Sequence, residues 1–110
     1  MKSTEELVGE IVTIRTIVGE ELMGKLEGLA LNKTILELHG LRVVTLDAGG
    51  QIMMLPYTLT GQDDIIGLPT RHVLSIVQSM TDAAEGFREE TLAEPTSEGP
   101  TNLGEDSFSL

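Results

Sequence analysis

Two short polar clusters carry the residue types that could do chemistry: Arg71 with His72 in "LPTRHVL", and Asn32 with Lys33 in "LALNKTIL". A guanidinium and an imidazole can contact phosphate or stack on a base. An amide can read a base edge, and an ammonium can pair with phosphate. The same residues also fit plain solvated turns, since Asn-Lys is ordinary turn chemistry between strands. Asp63 and Asp64 place two carboxylates together, as a hard cation would want. No Glu or Asn at ligand spacing joins them, and a solvated loop accounts for them better. His39 stands beside Gly40, and one His makes no metal site. Ser75 and Ser79 follow His72, but no acid orients that imidazole in sequence. No nucleophile–base pairing, phosphate-cradling glycine loop or metal-ligand cluster is visible. The chain therefore reads as no enzyme, with neither cofactor nor metal.

The elements that must position these residues read as strands. "EIVTIRTIVG" alternates and is rich in β-branched residues, which strands favour. Apolar groups fall on both of its faces, so both faces expect cover. "ELMGKLEGLA", "TILELHGLRVVTLD", "QIMMLPYTLTG", "DIIGLP" and "HVLSIVQ" follow as further runs. Pro56 marks an edge strand or a bulge. "DAGGQ", Asp47 to Gln51, is a hairpin connection in which Gly49 and Gly50 are expected to supply positive φ. Helices do not alternate with the strands, so a parallel α/β sheet is not expected. Gly19 falls where the first strand reverses. Gly24 and Gly28 share one face of the second run, and Gly40 interrupts the third. Such glycines permit the sharp bends and close backbone approach of a small barrel.

Composition sets the limits. The chain has 110 residues, 40% apolar but only 3% aromatic, so any core is aliphatic. Length suggests one folded domain. There is no cysteine, which excludes disulfides and thiolate metal sites. No apolar run reaches membrane-span length and no signal-peptide core opens the chain, so a cytoplasmic protein with no membrane association is expected. Residues 1–80 hold ten acids and six bases, whereas residues 81–110 hold eight acids and one base, Arg88. No basic footprint for nucleic acid is visible in these balances. We read residues 1–80 as the strand domain, 81–94 as a short helix capped near Thr81 or Asp82, and 95–110 as an acidic disordered tail.

With those runs in view, the sequence resembles the Sm-like proteins (the LSm/Hfq superfamily). Residues 11–38 are similar to the first Sm motif, with Ile11, Val12, Ile14, Gly19, Gly24 and Leu26 in its places. Residues 65–77 are similar to the second motif, with Leu68, Val73 and Ile76 in its apolar places. The segment from Arg42 to Asp64 is longer than the usual connection, in which the chain resembles small Sm-like proteins of tailed phages. The resemblance implies an all-β fold, a small, strongly bent, five-stranded antiparallel SH3-like barrel, with short helical turns at both ends, the first at "STEELVG". It implies homo-oligomeric rings, in which the strand before the last turn pairs with the last strand of a neighbour. Ile65, Ile66, Leu68, Val73, Leu74 and Ile76 are then the interface residues. It also implies single-stranded RNA as a partner, held by Asn32, Lys33, Arg71 and His72. The chain departs from the family where RNA binding needs it. Ala30 stands at the family's acidic position, Asn32 fits only with a shift of register, and Pro69 and Thr70 replace its Arg-Gly pair. The Arg71–His72 pair resembles the Lys-His turn of Hfq, but displaced. The alternative function is an oligomeric assembly module that binds a protein partner and no nucleic acid.

Overall fold

The computed structural model describes residues 2–61 and 64–93; the expected acidic tail at 95–110 lies outside them, as does Asp63. A 3-10 turn at Glu5–Leu7 precedes six strands: β1 (Ile11–Thr16), β2 (Glu21–Ala30), β3 (Ile35–Leu46), β4 (Ile52–Pro56), β5 (Ile65–Pro69) and β6 (Val73–Gln78). A second 3-10 turn, Thr70–His72, separates β5 from β6, and helix α1 (Thr81–Ala93) follows. All pairings are antiparallel and run β4-β3-β2-β1-β6. The twelve-residue β3 is long enough to carry two partners on one side: β5 along Ile35–His39 and β4 along Arg42–Leu46.

The six strands correct the expected five. The extra one is β4, which the hairpin after β3 adds from the lengthened central segment. The ladder among the described residues is also open, with β4, β5 and β6 each paired on one side only. Pro56 sits at the end of the outermost strand β4, where the missing N–H disturbs no further partner.

Apolar alternation places two layers on the sheet. Leu7, Val12, Ile14, Leu22, Leu26, Leu36, Leu38, Leu41 and Leu68 form the main core on its inner face. On the outer face Ile11 and Met23 pack with Ala84 and Phe87 of α1, which covers the second apolar face expected of β1. In β3 the buried positions run Leu36, Leu38 and then Leu41, a change of parity. Its cause is a bulge: Met23 faces Arg42 and Lys25 faces His39, so β3 spends one extra residue there. Gly40 takes φ +68° at this bulge, a conformation that suits a residue without Cβ. Gly24 lies opposite it in β2, and a Cβ there would stand 3.2 Å from Leu41 Cδ1 and 3.4 Å from the His39 carbonyl oxygen. Close backbone approach is therefore what Gly24 allows.

Two glycine expectations need correction. A second bulge, between Leu26 and Gly28, turns Gly28 away from the face of Gly24 and puts it beside the Glu37 carboxylate. In the β3–β4 hairpin only Gly50 has positive φ, at +82°. Asp47 replaces the need for a second one: its Oδ1 accepts from the N–H groups of Gly49 and Gln51 at 2.8 and 3.0 Å.

Candidate functional site

Register brings the two polar clusters to one end of the sheet. Ile35 pairs with Pro69, so the β2–β3 turn and the second 3-10 turn become neighbours. Thr70 ties them, donating from its N–H and its hydroxyl to the Thr34 carbonyl oxygen at 2.9 and 3.2 Å. The β2–β3 turn holds Leu31, Asn32 and Lys33 at φ of 50°, 57° and 68°. A left-handed conformation costs an L-residue about 1–2 kcal/mol, least for Asn. The turn is braced by Thr34, whose hydroxyl donates to the Leu31 carbonyl at 2.7 Å.

Asn32 and Lys33 are exposed, as are Arg71 and His72. Lys33 is engaged, with Nζ 2.7 Å from Oε2 of Glu5. That hydrogen bond and the charge beside it hold the Glu5 carboxyl below its ordinary range and push the Lys33 ammonium above its own. Sequence reasoning missed this partner because the first 3-10 turn reaches the site only through the fold. Arg15 is also matched with an acid, Glu21 at 3.0 Å. Arg71 has no ion pair among the described residues. His72 accepts the Ile17 N–H at its carbonyl, 2.9 Å away, and lines a cavity of about 220 Å³ with Tyr57, Ile17, Val18 and Glu20. Sequence reading did not single out Tyr57; it turns inward where its N–H bonds the Leu41 carbonyl at 3.0 Å. Two of the cations near the turns, Lys33 and Arg15, thus each have an acid beside them.

The six expected interface residues separate into groups. Leu68 is 6% exposed and belongs to the monomer's own core, which removes it from any contact surface. Ile66, Val73 and Ile76 are half-buried against that core. Ile65 and Leu74 are exposed, at 50% and 70%, and Val77 joins them at 52%. Leu74 protrudes because β6 bulges there: Arg15 faces Ser75 while Thr16 faces Val73. Among the described residues β5 pairs only with β3, and β6 only with β1, so each has one edge without a strand partner there. Three or more His, Cys, Asp or Glu residues do not gather into a metal-holding group among the described residues. No helix among them is long and apolar enough to cross a membrane. No protein-family model and no curated protein matches the chain.

Proposed function

We propose that the sheet wraps into an Sm-like barrel and that the chain is a non-enzymatic subunit of a homo-oligomeric, ring-like assembly in the cytoplasm, related to the Sm-like proteins of tailed phages. The observation that carries this reading is the pair of free edges. Unpaired N–H and C=O groups on a strand edge invite strand addition. β5 and β6 are both free and both short, and they carry exposed Ile65, Leu74 and Val77. An edge of one kind meeting an edge of another is a head-to-tail contact, which closes into a ring when the rotation allows. Native mass spectrometry of protein purified without nuclease treatment tests it. A single closed oligomer supports the reading, and a monomer sinks it.

Assembly with itself and with protein partners is favoured over RNA binding by the charge at the turns. Lys33 already has Glu5 at 2.7 Å, and Arg15 has Glu21 at 3.0 Å. Phosphate binding gains most where several cations face one strand of nucleic acid. One observation still supports single-stranded RNA as a second reading: the Thr70–Thr34 hydrogen bonds hold Asn32 and Lys33 next to Arg71 and His72. Under that reading RNase-sensitive mass accompanies the oligomer, and oligo(U) or oligo(A) binds at low salt with a steep loss as salt rises. An oligomer that binds neither oligonucleotide at low salt removes it.

A further inference from the structure

A second place on the molecule, on the outer face of the sheet beside α1, gathers positive charge. Strand register lays Ile11, Lys25 and His39 in a row across the outer face of β1, β2 and β3, since Ile11 faces Lys25 and Lys25 faces His39. Helix α1 supplies Phe87, Arg88 and Thr91 to the other wall of a cleft of about 330 Å³, with Gly9 at its rim. Gly40 lets the helix sit this close: a Cβ there would lie 3.3 Å from both Phe87 Cζ and Thr91 Cγ2. The floor is apolar, with Ile11 at 5% and Phe87 at 2% exposure.

The lining is unusual for this chain. The protein has 18 acids against 7 Lys and Arg and 2 His, yet every ionisable residue lining this cleft is basic. Competing acids stand outside it. Glu27 reaches Lys25 only at 3.8 Å, with both side chains substantially exposed, which makes a weak pair. Glu10 shares a neighbouring cavity with Arg88 but accepts a hydrogen bond from Gln78 Nε2 at 3.2 Å. Arg88 has no ion pair among the described residues. Like charges around a concave, low-dielectric wall raise the local potential for an opposite ion. A volume of about 330 Å³ is at the small end of ligand pockets.

We propose that this cleft binds a small organic anion. Lys25 and Arg88 hold its oxyanion head, carboxylate or phosphate, His39 stands beside it, and a short apolar body lies on Ile11 and Phe87. Guanidinium suits the head because it can meet two oxygens at once. The inference is independent of assembly and of RNA binding.

The test is isothermal titration of the full chain at low salt with hexanoate and hexyl phosphate, against hexanol and hexylamine. Saturable binding of an anion, with both controls at least about tenfold weaker, is expected from the worth of a charge-assisted hydrogen bond. Arg88→Gln and Lys25→Gln should each lose about tenfold, with circular dichroism unchanged. Amide shifts at His39 and Thr91 should move on titration. Arg88→Lys keeps the charge and should fall between wild type and Arg88→Gln. Hexanol binding as well as hexanoate would overturn the proposal by showing an apolar cavity alone. Anion affinity indifferent to both Gln variants, or no anion binding, would also overturn it.

Discussion

Replacing Gly40 by alanine tests how the sheet bends and how α1 docks on it. Gly40 sits at φ +68° in the β3 bulge, and an added Cβ would meet Phe87 Cζ and Thr91 Cγ2 at 3.3 Å each. The backbone term is about 1–2 kcal/mol. Moving a buried Phe and its neighbour by a few tenths of an ångström adds about 1 kcal/mol or more. Gly50→Ala is the control, because Gly50 has φ +82° but nothing within 4 Å of its Cβ position. It should show the backbone term alone. Urea unfolding followed by circular dichroism at matched protein concentration separates the two. With a slope of about 1–3 kcal/mol per molar, the Gly40→Ala midpoint should fall below that of Gly50→Ala by several tenths of a molar to about 1 M. Repeating Gly40→Ala in a Phe87→Ala background should abolish much of the difference, since residues in contact are not additive. Equal midpoints for the two alanine variants, or a difference undiminished by Phe87→Ala, would refute the account of Gly40 as the seat of the helix.

Leu68→Ala should destabilise the fold by about 2–5 kcal/mol, because Leu68 is in the main core. Leu74→Glu, at 70% exposure, should leave chain stability nearly unchanged but shift native mass spectra toward monomer. The reverse pattern would contradict the division between core and edge. The Glu5–Lys33 pair should show its own pH window. Glu5 is lowered, so its contribution is present above the ordinary carboxylate range and fades as pH falls through the folded value; Lys33 is raised, so its share is present below the ordinary lysine range and fades as pH rises through the folded value. Carboxyl NMR titration should find Glu5 raised toward the ordinary range in Lys33→Met, with the backbone hydrogen bond at Glu5 still holding part of the lowering, and no change there would disprove the pairing. Asp47→Ala should cost about 1 kcal/mol and speed amide exchange at Gly49 and Gln51, whose N–H groups it accepts. Unaltered exchange would show that the hairpin holds without the carboxylate.

The strands were legible because period-two alternation and β-branched residues report a half-buried pleated surface directly. "ELMGKLEGLA" is β2 to the residue, and "DAGGQ" is the hairpin connection. The parity of β3 was not legible: one bulge residue at Gly40 reverses which side chains point inward, and alternation alone cannot locate it. The same is true of Gly28, which local spacing assigns to the face of Gly24 and the bulge at Glu27 turns over. Leu68 reads as sticky in sequence, and only packing shows that its own core uses it. Of the candidate turn residues, sequence identified Asn32, Lys33, Arg71 and His72 by type, but not that Thr34 and Thr70 tie their turns together or that Glu5 occupies Lys33.

By itself the sequence determined an aliphatic, cysteine-free, strand-rich chain with an acidic surplus, because composition and short-range periodicity act residue by residue. Tertiary structure decided what depends on partners distant in the chain. It set β4 and β5 side by side on β3, left β5 and β6 with free edges, and brought Arg88 of α1 to Lys25 and His39. The physical reason is that strand register and bulges, which no local pattern encodes, choose which faces and edges meet.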